Sequence, residues 1–209
     1  MNDVIFETVV TTVSPQGKPH VAPMGVRYQP GVVVLMPFVP SMTLANILAT
    51  RHAVLNIVLD TRVFAGCVTG RKEWPTAAAE NIPGVRLRCA LSHVELKLES
   101  MNDDDAQRPV LRMARVHEVA HAPFIGLNRA QAAVIEGAVL VSRLHMLKPD
   151  KIDSEMAYLQ IAINKTAGAE EREAWGWLLE AVARHRATPG AGSTAAPTPA
   201  PAAAPKAAP

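Results

Sequence analysis

The 209-residue sequence has only two cysteines, Cys67 and Cys89, and their spacing matches no metal-binding or redox motif. Because the chain is not a small disulfide-stapled scaffold, both cysteines are predicted to be reduced core residues. No apolar run approaches the length that crosses a bilayer. The opening MNDVIFETVV carries Asp3 and no basic residue, so no signal peptide is expected. These absences predict a cytoplasmic protein without a membrane partner.

An excess of charge of one sign is also lacking. The chain has 21 Lys and Arg residues against 19 Asp and Glu residues, for a formal net charge of +2. Nucleic-acid-binding proteins usually carry a strongly basic surface, so no nucleic-acid partner is expected. Hydrophobic residues make up 49% of the chain, which is enough to form a substantial globular core.

The apolar pattern divides the chain into three regions. Residues 1–127 contain short β-branched runs separated by turns, such as FETVVTTVS and HVAPMGVRY around PQGK, and predict a barrel-like sheet of about six strands. Residues 128–187 change to helical spacing and predict a helical appendage of three helices. Residues 188–209 are rich in Pro and Ala and predict a disordered tail.

The pentapeptide HEVAH, residues 117–121, matches the H-E-x-x-H pattern of zinc hydrolases, with Glu118 between the two histidines. Zinc binding by this motif requires a helix that brings His117 and His121 to the same ion. Pro123 ends the pattern and the neighbouring run is strand-like, so a β-strand without a metal site is preferred. A zinc hydrolase remains an alternative. If the strand face borders a ligand cleft, one of the histidines is a candidate substrate contact or proton donor.

A second pattern suggests a phosphate site. PSMTLANILATR predicts a helix capped by Ser41, with Thr43 in its first turn, where free N–H groups and the helix dipole favour an anion. Pro23 and Gly25 weaken strand pairing in HVAPMGV and allow a ligand to approach the backbone. A helix cap and a barrel corner explain the same residues equally well, so both interpretations stay open.

Several of these segments resemble the flavin-reductase-like, FMN-binding split-barrel superfamily. More narrowly, they are similar to a domain-of-unknown-function family of methanogenic archaea and methylotrophic bacteria. The resemblance rests on ETVVTTVSPQGKPHVAPMGV, SMTLANI, VLNIVLD and GLNRAQAAVIEGAVLVSRL, within residues 5–145. It implies a mainly β fold with α, namely a six-stranded FMN-binding split β-barrel with a C-terminal helical appendage. It also implies a homodimer that binds FMN at the subunit interface.

The resemblance further implies which residues bind the cofactor. Residues of the second strand would line the flavin, the start of the first helix would hold the phosphate and ribityl chain, and Asn56 would contact polar oxygens. The implied cofactor-binding residues are His20, Val21, Ala22, Pro23, Met24, Gly25, Ser41, Met42, Thr43, Asn46 and Asn56. No catalytic residue is assigned, and no nicotinamide-binding motif of the kind found in many flavin reductases is recognised.

The implied function is that of an FMN-dependent oxidoreductase acting on a small-molecule substrate or electron donor. The occurrence of the family among organisms that use tetrahydromethanopterin-type one-carbon carriers suggests a pterin-related substrate. A flavin-binding module without turnover, such as a carrier or assembly factor, is the main alternative. The small residues Ala130, Ala133 and Ala138 suggest that the helical appendage contributes to the dimer contact.

Overall fold

The computed structural model describes residues 4–187, which form eight strands and five helices. In chain order these are β1 (Phe6–Val13), β2 (Pro19–Gln29), β3 (Val32–Leu35), α1 (Met42–Thr50), β4 (His52–Val58), α2 (Arg62–Val68), β5 (Thr76–Ala78), β6 (Val85–Leu87), β7 (Ala90–Asn102), β8 (Val110–Ala120), α3 (Arg129–Ser142), α4 (Pro149–Thr166) and α5 (Ala169–Ala187). The tail predicted at residues 188–209 lies outside the described residues.

Six antiparallel strands form a closed barrel in the order β1-β2-β3-β8-β7-β4, with β4 pairing back to β1. The meander β1–β3 turns at Gly17 and Gly31, whose φ angles of 79° and 70° favour glycine. The acidic turn DDDAQR, which follows Asn102, joins β7 to β8. The predicted fold class, a six-stranded split barrel followed by helices, is confirmed.

The barrel interior is filled by alternate strand residues, with α1 closing part of it. Leu44 and Ile47 of α1 join an apolar cluster that includes Val10, Val26, Leu55 and Leu96. Period-2 alternation sends these strand residues to one face, while their neighbours point outward. Each such fully buried aliphatic side chain stabilises the fold by roughly 1.5–3 kcal/mol. The core therefore holds α1 at the barrel.

The three C-terminal helices share a core with the outer face of the barrel. Val9 and Val21 belong to the same apolar cluster as residues of α2, α3, α4 and α5. Ala130, Ala133 and Ala138 are at most 5% exposed and lie inside this cluster. These alanines are therefore not available for a dimer contact, because their small side chains let helices of the same chain pack closely, and a contribution of the appendage to a dimer stays a prediction.

Helix α2 and the short β5–β6 hairpin are elements that the sequence analysis does not separate. Strand β6 lies against β1, β4 and β7 and covers part of the outer barrel face. The cysteine prediction is wrong for Cys89, which is exposed, and Cys67 is only half-buried. Within residues 4–187, no helix is long and apolar enough to cross a membrane.

Candidate functional site

The first turn of α1 has the features predicted for an anion site. Ser41 is the N-cap, and its Oγ accepts a hydrogen bond of 3.3 Å from the N–H of Leu44. Other N–H groups of a first helical turn have no partner within the helix. Met42 is 58% exposed, whereas Thr43 is buried. The turn therefore combines helix-end N–H groups with a capping serine and a threonine.

Asn46 connects α1 to the end of the β1–β2 hairpin. Its Nδ2 donates a hydrogen bond of 3.0 Å to Oγ1 of Thr12, and Thr12 lies directly opposite His20 in the strand register. Burial and the charge of Lys72 lower the pKa of His20 from its ordinary value of 6.5. Two of the predicted residues therefore neighbour Thr12: Asn46 through a hydrogen bond and His20 through strand pairing.

The middle of β2 lines a groove on the outside of the barrel. The groove has a volume of about 270 Å³ and lies between β2 and helices α2 and α3, with Glu7 and Arg143 as its charged residues. Its β2 residues are Pro23, Met24 and Gly25, all in the predicted set. A side chain at Gly25 would meet Cγ2 of Ile5 at 2.6 Å, so this glycine serves close packing.

Val21 packs in the outer core with Val9, whereas Val26 packs inside the barrel. Successive side chains of a strand point to opposite faces. The predicted β2 residues, from His20 to Gly25, therefore cannot all contact one ligand through their side chains.

Asn56 is fully buried and its amide is engaged inside the protein. Its Nδ2 donates to the backbone oxygens of Val9 and Val54 and to Oγ1 of Thr11, at 3.1–3.2 Å. Its Oδ1 accepts a 2.8 Å hydrogen bond from the N–H of Leu87. This geometry favours a role in attaching β6 to the barrel, and contact with a flavin stays a prediction.

The HEVAH segment lies at the end of β8 and not on a helix. His117 pairs with Glu95 of β7, and His121 follows the last residue of the strand. Zinc hydrolases of this motif need the two histidines one helical turn apart, so the structure contradicts the zinc alternative. Within residues 4–187, no group of three or more His, Cys, Asp or Glu side chains is arranged to hold a metal ion.

One histidine of HEVAH, His121, contacts a buried pair, His93 and Glu95, that the sequence analysis missed. His93 and Glu95 are both 0% exposed, and Nδ1 of His93 lies 2.9 Å from Nε2 of His121. His117 lies 3.2 Å from a carboxylate oxygen of Glu80. In HVELKL, the alternation of polar and apolar residues indicates a solvent-facing polar side, and nothing local shows that β6 and its preceding loop cover it.

Two family models match most of the chain. Residues 6–122 match the N-terminal domain of DUF447, a protein family of unknown function, and residues 128–180 match the family's second domain. No curated protein matches the chain in sequence. The two matches meet between the last barrel strand and the first C-terminal helix.

The fold is similar to that of a solved FMN-bound protein. The crystal structure of an FMN-bound DUF447 protein from Methanosarcina mazei has 20% sequence identity and a TM-score of 0.74, and the match covers 85% of this chain and 94% of that one. The Pseudomonas fluorescens 2-nitrobenzoate 2-nitroreductase has 19% identity and a TM-score of 0.48, over 55% and 64% of the two chains. The Streptomyces globisporus NADH:FAD oxidoreductase has 9% identity and a TM-score of 0.48, over 57% and 78%.

The predicted resemblance to a domain-of-unknown-function family is thereby confirmed. It extends through both the barrel and the C-terminal helices, with the family models covering residues 6–122 and 128–180. This chain belongs to the DUF447 family.

Proposed function

We propose that this protein is an FMN-binding flavoprotein that acts as an oxidoreductase, with the phosphate of FMN at the first turn of α1. One observation carries the proposal. A hydrogen bond from Asn46 to Thr12 holds α1, and with it the first turn of the helix, against the β1–β2 hairpin. An FMN-bound member of the same family shares the fold along 94% of its length.

The residues present fit a phosphate chemically. Helix-end N–H groups and the hydroxyl of Thr43 are hydrogen-bond donors of the kind that hold phosphate. Lys18, in the β1–β2 turn, is exposed and carries a positive charge that no other group of the described residues binds. The guanidinium of Arg51 donates to the backbone oxygen of Leu98 at 2.9 Å, so Arg51 is already engaged elsewhere. Lys18 is therefore the better candidate for the phosphate charge.

The residues of this chain bind and orient the cofactor, which would supply two-electron redox chemistry when bound. The β2 backbone would support the flavin, and the groove beside residues 23–25 has apolar walls formed by Phe64, Val68 and Ile135. A small-molecule electron donor or substrate is the expected reaction partner. A reduced pterin is the first substrate class to test, on the basis of the family resemblance.

A homodimer is part of the proposal. Three large apolar side chains follow β8 and are exposed in the single chain: Phe124 (59%), Ile125 (87%) and Leu127 (96%). Contiguous exposed apolar residues mark interaction surfaces, because leaving them in water is unfavourable. A second copy of the chain is the partner that the family resemblance implies, with FMN bound where the two copies meet.

The absorption spectrum of the purified protein tests cofactor binding. Oxidised-flavin bands that are released by heat as FMN support the proposal, whereas a colourless protein that does not bind added FMN contradicts it. Comparing the binding of FMN with that of riboflavin, which lacks the phosphate, tests whether the phosphate lies at the first turn of α1. We expect Thr43→Ala to weaken FMN binding about 10-fold, the effect of losing one hydrogen bond to a charged group, and to leave riboflavin binding unchanged.

Thr50→Ala is the matched control for Thr43→Ala, because Thr50 lies at the opposite end of α1 and donates to the backbone oxygen of Asn46. Equal effects of the two variants would contradict the phosphate location.

Anaerobic mixing with NADH or NADPH tests turnover. Rapid bleaching of the flavin supports an oxidoreductase, whereas a tightly bound flavin that is reduced by neither nucleotide favours the non-catalytic module.

A further inference from the structure

His93 and His121 form an in-plane hydrogen bond where β7 begins and β8 ends. Nδ1 of His93 lies 2.9 Å from Nε2 of His121, and the two ring planes differ by only 1°. With the nitrogens this close, a centroid separation of 5.1 Å places the rings edge to edge rather than face to face. The backbone N–H of His121 also donates to the oxygen of Leu91 at 2.6 Å, which fixes the residue beyond the strand end.

Glu95 anchors the buried end of this pair. Its Oε1 accepts a 2.5 Å hydrogen bond from the N–H of Glu80, and its Oε2 accepts one of 2.8 Å from the N–H of Asn81. The same Oε1 lies 3.4 Å from Nε2 of His93. Burial raises the pKa of the Glu95 carboxyl, but these three N–H groups outweigh burial and the net pKa is lowered. Glu95 is therefore an ionised acceptor at neutral pH.

The ionised carboxylate of Glu95 fixes which ring nitrogens of His93 and His121 carry protons. An ionised carboxylate can only accept, so Nε2 of His93 carries the proton. With that proton on Nε2, Nδ1 of His93 is the acceptor in the 2.9 Å contact and Nε2 of His121 is the donor. A neutral His121 consequently carries its lone pair on Nδ1. His121 is exposed, and within residues 4–187 its Nδ1 has no hydrogen-bond partner.

The charges around His121 keep it neutral near pH 7. Partial burial and the Arg86 guanidinium of β6 lower its pKa from 6.5, whereas the carboxylate of Glu80 opposes them. His117, on the same face of β8, contacts Glu80 and not His121. Because neutral imidazole is a base, His121 presents an available lone pair next to a positive charge.

We propose that His121 is an acid–base site whose Nδ1 accepts a proton from an O–H or N–H group of a small, weakly acidic molecule. In this step the O–H or N–H bond breaks, its electron pair stays on the oxygen or nitrogen, and the proton joins the lone pair of Nδ1. Glu95 offsets the imidazolium charge through His93, and Arg86 offsets the negative charge left on the molecule. His93 and Glu95 are positioning residues. The site does not require FMN and is independent of the proposed function.

The tautomer of His121 in the full chain is the primary test, measured by ¹⁵N NMR of the imidazole nitrogens between pH 5 and pH 8. We expect a proton on Nε2, none on Nδ1, and a titration midpoint below the ordinary 6.5. Diethyl pyrocarbonate, which reacts with an unprotonated imidazole nitrogen, serves as the chemical probe. Peptide mapping at pH 7 should show modification of His121 on Nδ1, several-fold faster than modification of His117.

Glu95→Gln tests the positioning roles. An amide can donate as well as accept, so the direction of the hydrogen bonds is no longer fixed. We expect a mixed tautomer at His121, a several-fold slower reaction with the probe, and a lower titration midpoint after loss of the negative charge. The control is His117→Gln, which changes the neighbouring ion pair and should leave the His121 tautomer unchanged.

A proton on Nδ1 of His121 in the wild-type chain would overturn the proposal, as would a His121 that titrates and reacts identically in Glu95→Gln. If Glu95→Gln fails to fold, the wild-type tautomer and the His117→Gln comparison still decide the matter. Loss of FMN binding in any variant has no bearing on it, because the tautomer and the probe reaction are measured on the flavin-free chain.

Discussion

The side chain of Asn56 and the backbone of Leu87 are joined by a buried hydrogen bond of 2.8 Å, which attaches β6 to the outer face of the barrel. Thr11 and Glu95 support the same attachment. Oγ1 of Thr11 donates to the oxygen of Val85 at 2.5 Å, and Glu95 accepts from the loop that precedes β6. Three polar side chains on neighbouring strands therefore take the place of a continuous strand pairing.

Replacing Asn56 by Leu should destabilise the fold by about 3 kcal/mol. The change leaves the N–H of Leu87 and the hydroxyl of Thr11 buried with fewer partners, and a buried unsatisfied polar group costs about 1–3 kcal/mol. The measurement is the free energy of unfolding from urea denaturation. Asn81→Ala is the control, because the Asn81 side chain is exposed and the loss expected is within about 0.5 kcal/mol. Equal losses for both variants would contradict this role of Asn56.

Gly137→Ala should destabilise the packing of α3 on α5 by roughly 1–3 kcal/mol. An added Cβ would lie 2.8 Å from Cζ3 of Trp175 and 3.0 Å from Cδ1 of Leu178, which is overpacking of a dense core. Gly176→Ala is the matched control on α5. A Cβ there meets no atom within 4 Å, so higher helix propensity should stabilise the protein by up to about 1 kcal/mol. The melting temperatures of the two variants measure this difference. A change of the same sign in both would refute the packing argument.

Glu95 should make stability depend on pH at the acid end. Its pKa in the folded protein is lowered from 4.5, because hydrogen bonds from Glu80, Asn81 and His93 outweigh the opposing effect of burial. The unfolded state then binds the proton more readily, so the stabilisation is complete above about pH 4.5 and is lost as pH falls through the folded pKa. Unfolding free energies between pH 3 and pH 7 measure this slope.

The slope should be shallower in Glu95→Gln than in the wild type. Glu99→Gln is the control on the same strand, because Glu99 is exposed. A Glu95→Gln variant that is folded and retains the wild-type slope would show that Glu95 is not the titrating group.

Ile125→Asp should convert the proposed dimer to a monomer. Ile125 is 87% exposed in the single chain, so the aspartate costs little in the folded protomer and a large amount in an apolar interface. Sedimentation velocity at several concentrations measures the change. Met146→Asp is the comparison, since Met146 is also exposed, at 68%, but lies after α3. A wild-type protein that remains monomeric at all concentrations would rule out the dimer.

The predictions that succeeded came from local signals. Gly17 and Gly31 mark turns whose backbone conformation few other residues adopt, and Ser41 is a helix cap by its own side-chain chemistry. The predictions that failed depended on what covers a surface. His93 alternates with apolar neighbours, a pattern that indicates a solvent-facing side chain, yet it is fully buried beside Glu95. The N–H groups that bind Glu95 come from residues 80 and 81, which lie 15 and 14 positions before it in the chain.

The sequence by itself determined the alternation that makes a barrel, the change to helical spacing at Asn128, and the strand ending in HEVAH. These follow from steric preferences and side-chain periodicity over a few neighbouring residues. Only the tertiary structure decided that the outer barrel face is covered by β6, that Ala130 packs within its own chain, and that His121 meets a buried His93 and Glu95. Such contacts depend on the closure of the barrel, which brings together segments that have no local signal for one another.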